Sequence, residues 1–117
     1  MQTHHGSCHC GAVAFTAELD LGKPVIECNC SHCEAKGLLL AFIPRTQFAL
    51  TSGEDELMGY QFGKKSIDHQ FCRICGVQPF AYGQMKDGTP TAAINVRTLK
   101  DVDLTALERK PFDGRSF

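Results

Sequence analysis

No stretch of the 117-residue chain comes near the ~18 consecutive apolar residues that a membrane-spanning helix needs, which excludes a helical span. Met1 to Gly11 contains no apolar run either, so no secretory leader is expected, and the protein is expected to be soluble, unexported and cytoplasmic. Charge of one sign is also missing. A formal net charge of −1 and a pI near 6.5 leave no global positive field for nucleic acid or an anionic membrane, and neither is the expected partner. Lys64, Lys65 and Arg73 make the best local basic cluster, which reads as a solvated edge. There is no repeat, no low-complexity linker and no disordered composition: 43% of residues are hydrophobic and 21% charged, so one domain over residues 1–117 is expected.

A domain of this length buries a modest core and gains from a staple. The sequence offers seven cysteines. In a reducing cytosol thiols stay free, and an odd count leaves one unpaired in any disulfide framework, so metal binding is the leading reading.

Apolar alternation over Ala12–Thr16 and β-branched or aromatic runs over Leu39–Ile43, Phe48–Thr51, Tyr60–Phe62 and Ala93–Thr98 predict strands. Gly and Pro punctuate them at hairpin spacing, which predicts a mainly β, mostly antiparallel domain. Short helices are expected only near Ser31–Lys36 and Asp103–Glu108, the second capped by Asp103.

The cysteines fall into three groups: Cys8-His9-Cys10, Cys28-Asn29-Cys30-Ser31-His32-Cys33, and Cys72-Arg73-Ile74-Cys75. Ligands two or three residues apart let one tight turn aim two sulfurs at one ion. Gly11 and Gly76, following the outer pairs, are expected to relieve crowding where the backbone folds back. Four thiolates complete a structural zinc and three leave a position open, so seven divides as four plus three. Cys8, Cys10, Cys72 and Cys75 are assigned to the closed site because two sequence-distant pairs clamp the domain together. Cys28, Cys30 and Cys33 are left for an open site, where zinc would hold an incoming small thiol as thiolate. His32 or His9 could instead supply a fourth ligand, against simpler readings of His32 as an exposed turn residue and His9 as pointing away from the ion. His4 and His5 are expected in a frayed terminus, and His69 as a cross-strand partner on the strand leading to Cys72.

These motifs, with Phe71 before Cys72, Gly11 and Gly76 after the outer pairs, Asn95-Val96-Arg97-Thr98-Leu99 and Phe112-Asp113-Gly114, resemble the glutathione-dependent formaldehyde-activating enzyme family from about Gly6 to Gly114. That family also contains centromere protein V-like proteins. The resemblance implies an Mss4-like fold of packed antiparallel sheets, a structural zinc on the outer pairs, and a labile zinc on Cys28, Cys30 and Cys33 where glutathione is handled. It further implies carbon–sulfur bond formation between glutathione and formaldehyde, giving S-hydroxymethylglutathione. Glutathione carboxylates need donors, for which Arg45, Lys64, Lys65, Arg73 and Arg97 are available. Glu27, beside Cys28, is the acidic residue nearest the open site and reads equally as a surface charge. Competing readings are a non-catalytic zinc module for a protein or nucleic acid partner, and a thiol redox or zinc-buffering protein.

Overall fold

The computed structural model describes residues 1–63 and 67–114. In chain order the strands are β1 (Gln2–Ser7), β2 (Ala14–Leu19), β3 (Val25–Cys28), β4 (Leu40–Pro44), β5 (Phe48–Ser52), β6 (Leu57–Tyr60), β7 (Asp68–Cys72), β8 (Phe80–Gln84), β9 (Pro90–Asn95) and β10 (Arg109–Phe112). One helix, α1 (Ser31–Lys36), lies between β3 and β4. A three-stranded sheet, β1-β2-β5, packs on a seven-stranded sheet ordered β10-β3-β4-β9-β8-β7-β6.

The alternation read over Ala12–Thr16 overlaps β2, the strand that joins the two sheets. Phe15, Ala17 and Leu19 of β2 are buried while Glu18 is exposed, so one face of the small sheet points into the core. There Phe15 meets Phe80 edge-on at 5.9 Å, and Phe48 lies 4.7 Å from the same ring. Phe15 and Phe80, both withdrawn from water, each contribute roughly 1.5–3 kcal/mol, and the half-buried Phe48 less.

β9 is buried from Thr91 to Asn95, on both faces. Ala92 and Ile94 face the core beneath the small sheet, whereas Ala93 joins Cys33, Leu38, Leu40 and Ala81 in a second cluster beneath α1. The large sheet is therefore covered on one side by the small sheet and on the other by the helix that carries Cys33.

The structure departs from the sequence reading at five places. The strand expected at Tyr60–Phe62 lies earlier, as β6 over Leu57–Tyr60, and ends at the first of those three residues. β10 pairs with β3 in parallel, with Phe112 in register with Cys28, so the sheets are not wholly antiparallel. Ala93–Thr98 is not one strand: β9 stops at Asn95, whose Oδ1 accepts the Arg97 N–H at 3.2 Å and turns Val96–Thr98 into a 3-10 turn. The expected helix at Asp103–Glu108 is a single 3-10 turn, Leu104–Ala106. Asp103 does cap it, accepting the Thr105 N–H at 3.0 Å, but so few residues cannot sustain an α-helical nucleus. Finally, His4 and His5 are not frayed; they pair with Ala17 and Thr16 within β1 and β2.

Candidate metal centres

The four outer cysteines converge. Cys8 and Cys10 lie in the turn after β1, Cys72 ends β7, and Cys75 follows in the next turn, so the cluster ties the small sheet to the large one. The two turns have matching hydrogen bonds. Cys8 N–H donates to Val13 O and Cys72 N–H to Val77 O, both at 3.0 Å, while the Gly11 and Gly76 amides donate back to Cys8 O and Cys72 O. Both glycines have positive φ, 83° and 81°. A Cβ at either would meet nothing within 4 Å, so glycine is needed for its backbone conformation and not, as expected, to relieve crowding.

The sulfur positions test whether a metal fits. A tetrahedral zinc with Zn–S bonds of about 2.3 Å sets its sulfurs about 3.8 Å apart. Cys8 Sγ to Cys10 Sγ is 3.6 Å and Cys10 Sγ to Cys72 Sγ 3.7 Å, and all four sulfurs lie within 4.8 Å of one another. All seven cysteines are free thiols, so no disulfide competes for these sulfurs.

Charge argues the same way. At Cys75, burial raises the thiol pKa, but N–H donors from Cys10 and Val77 outweigh it and bring the value to about 6. Cys10 goes the other way, to about 11: the Ala12 N–H lowers it, yet burial and the neighbouring Cys8, Cys72 and Cys75 together raise it more. Four sulfurs this close cannot all ionise without a cation among them. The donor set suits a structural zinc.

The second centre is built by the start of α1. Cys28 ends β3, Cys30 is the helix N-cap, and Cys33 is buried one turn in. Cys30 N–H donates to Cys28 Sγ at 3.4 Å and Cys33 N–H to Cys30 Sγ at 3.3 Å, so each ligand's backbone orients the previous sulfur. The helix ends at Gly37, φ 68°, with Leu38 N–H reaching Cys33 O at 3.0 Å, which fixes the short turn from both ends. The three sulfurs lie within 4.8 Å of one another. Burial pushes the Cys33 and Cys28 thiols up, while at Cys30 the hydrogen bonds, chiefly from the Cys33 N–H, overcome burial and bring it down. Among the described residues no histidine or carboxylate joins this group, which leaves three donors and an open position.

A cavity of about 490 Å³ opens onto this centre. Cys28, Cys33, Gly37, Leu38 and Arg97 line it with Glu27, Glu34, Asn29 and the 111–113 segment. A larger hollow of about 750 Å³, around Arg45, Thr51 and Tyr82, includes none of the cysteines.

Residues 3–112 match the family model described as glutathione-dependent formaldehyde-activating enzyme. The chain belongs to that family. It is also similar to a Rhodobacter sphaeroides protein of known crystal structure, a structural genomics target, at 31% identity and a TM-score of 0.79 over 92% of this chain and 97% of the other. The two packed sheets and paired cysteine turns are the Mss4-like fold of the formaldehyde-activating family.

Within that frame the basic candidates separate. Arg97 reaches the cavity, with its Nε donating to Gly37 O at 2.8 Å. Arg45 instead lies over the Tyr82 ring, 3.6 Å from its centroid, and Arg73 is ion-paired with Glu56. Lys64 and Lys65 lie outside the described residues. Glu27 does line the cavity, and its carboxylate faces Arg109 at 3.4 Å.

His32 is neither a ligand nor an exposed turn residue. Its ring packs against Tyr60, Phe62 and His69, with the His69 centroid 3.9 Å away, and neither of its nitrogens has a hydrogen-bond partner among the described residues. Burial first, and Lys36 second, lower its pKa. His9 is exposed and outside both sulfur clusters. His69 is a cross-strand partner as expected, but also a buried hydrogen-bonded one. Lys36 Nζ donates to Gln78 Oε1 at 3.0 Å, so the Gln78 amide nitrogen, 3.0 Å from His69 Nδ1, is the donor there and the ring proton sits on Nε2. Sequence reasoning missed Asn29, Glu34 and Asp113 as cavity residues. Adjacency to Cys28, Cys30 and Cys33 was a signal for the first two.

Proposed function

We propose that this protein handles a small thiol, glutathione or a close relative, and its formaldehyde adduct at the three-cysteine centre, as a zinc-dependent carbon–sulfur lyase-type enzyme. The observation carrying this reading is the incomplete donor set of Cys28, Cys30 and Cys33, placed at the wall of a cavity with a cationic side chain. Cys8, Cys10, Cys72 and Cys75 would hold a structural zinc, and Cys28, Cys30 and Cys33 would hold the zinc that activates the thiol.

The zinc, when bound there, would lower the pKa of a thiol and keep its sulfur as the nucleophilic thiolate. The thiolate sulfur bonds to the formaldehyde carbon, and the C=O π pair moves onto oxygen, which takes up the proton the thiol gave away. The product is S-hydroxymethylglutathione, and the reverse step breaks the same carbon–sulfur bond. Arg97 orients the substrate by pairing with a glutathione carboxylate, and its own orientation is held by Gly37 O. Leu38 and Phe112 give the cavity the apolar wall against which a peptide stem rests.

Because the addition proceeds without a catalyst, the test is a rate. The approach of glutathione and ¹³C-labelled formaldehyde to equilibrium, followed by NMR with and without zinc-loaded protein, is expected to accelerate with protein and to lose that acceleration in Cys30→Ser. Equal rates with wild type and buffer would sink the enzymatic reading and leave thiol binding.

A further inference from the structure

The last described residues cross the three-cysteine centre. Phe112 O accepts the Asn29 N–H at 3.0 Å, and Asn29 Nδ2 donates to Asp113 Oδ1 at 3.1 Å, so the residue between two of the cysteines is tied twice to the segment after β10. These bonds bring Gly114 down onto the sulfurs. A Cβ at Gly114 would lie 3.0 Å from Cys30 Cβ and nearer still to Cys28 Sγ, with Cys30 N at 3.4 Å. Gly114 is not among the glycines of positive φ, so what it supplies is space and not a special backbone conformation.

We propose that Gly114 is a positioning residue of this centre: Phe112–Gly114 is a strap that braces Cys28 and Cys30 in ligating geometry, and only glycine lets it lie that close. The inference rests on the reading that Cys28, Cys30 and Cys33 bind zinc. A free Cys28 thiol can rotate away from an added methyl group, but a ligating one is fixed by its ion. A side chain at position 114 presses on the backbone-fixed Cys30 Cβ in either form, and opposes the loaded form more because the Cys28 sulfur can then no longer rotate away. Linkage makes the coupling reciprocal, so loss of the ion loosens the strap.

Zinc competition against a chromophoric chelator tests this on wild type, Gly114→Ala and Lys110→Ala, the last on the exposed part of β10. Gly114→Ala is expected to bind the second, weaker ion at least about 10-fold less tightly, with the first ion unchanged and Lys110→Ala like wild type. Two ions bound with equal affinity by wild type and Gly114→Ala would overturn the strap alone. A wild-type protein that binds one ion only would overturn the proposed function and the strap together. The reciprocal effect is read by hydrogen exchange on unmutated protein stripped of its second ion. Peptides covering 109–114 are expected to exchange at least about 10-fold faster while β9 stays protected, and unchanged protection of 109–114 contradicts the coupling.

Discussion

Cys30 Sγ accepts the Cys33 N–H at 3.3 Å, so one member of the three-cysteine centre caps the helix that carries another. The position normally favours Ser, Thr, Asp or Asn; here a cysteine fills it, and the same sulfur converges with those of Cys28 and Cys33. Local helix formation and ligand placement are thus one arrangement.

That arrangement separates the two centres by mutation. Cys30→Ser keeps a capping oxygen and removes a ligand, so it is expected to yield a folded protein with one zinc. Cys75→Ser opens the site that ties the two sheets together, and a structural zinc contributes about 10–16 kcal/mol against a net stability of about 5–15 kcal/mol. It is expected not to fold. Metal content by mass spectrometry and circular dichroism check both, and equal unfolding of the two variants would contradict the division of roles.

His69 gives a pH signature. Burial lowers its pKa to about 4, with His32 and Lys36 contributing, whereas an unfolded histidine titrates near 6.5. Between those values the unfolded chain holds a proton the folded one lacks. Stability is therefore fully present above about pH 6.5 and is lost as pH falls toward 4. Among the described residues, His32, Lys36, Tyr60, Phe62 and Gln78 surround the ring and none is a carboxylate, so nothing there welcomes the proton. From pH 6.5 to 5 wild type is expected to lose about 1–2 kcal/mol more than His69→Gln in urea unfolding. Parallel pH profiles would refute this.

On the proposed reading, Arg97 governs affinity for the carboxylate of the thiol and not for the thiol itself. One charge-assisted hydrogen bond contributes about 1.5–3 kcal/mol, so Arg97→Leu is expected to weaken glutathione binding by about 10- to 100-fold while leaving 2-mercaptoethanol binding nearly unchanged. Calorimetry on both ligands decides it. A uniform loss would mean that Arg97 acts through the Gly37 contact on the helix end.

What the sequence revealed and what it hid follow from how far apart the interacting residues are. The outer cysteine turns were legible because ligand pairs and their following glycines are local, and part of the sheet core because the alternation over Ala12–Thr16 overlaps β2 and contains its buried Phe15. β10 was not. Arg109-Lys110-Pro111-Phe112 is exposed throughout and has no alternating pattern; it is a strand because β3 pairs with it from 84 positions earlier, and Pro111 is tolerated because β10 is an edge. His32 was misjudged for a similar reason: the rings that cover it, Tyr60, Phe62 and His69, come from a hairpin about thirty residues away, a relation no local spacing encodes. Among the five cationic candidates only the fold could show that Arg97 alone, of those described, lines the cavity beside Cys33.

An exchangeable position at Cys28, Cys30 and Cys33 is most directly tested by calorimetric titration of fully zinc-loaded protein with reduced glutathione, using S-methylglutathione as the blocked control. Saturable binding of the free thiol, absent with the methylated one and lost in Cys30→Ser, is the expected result. Equal binding of both, or of neither, would contradict thiol capture at the three-cysteine centre.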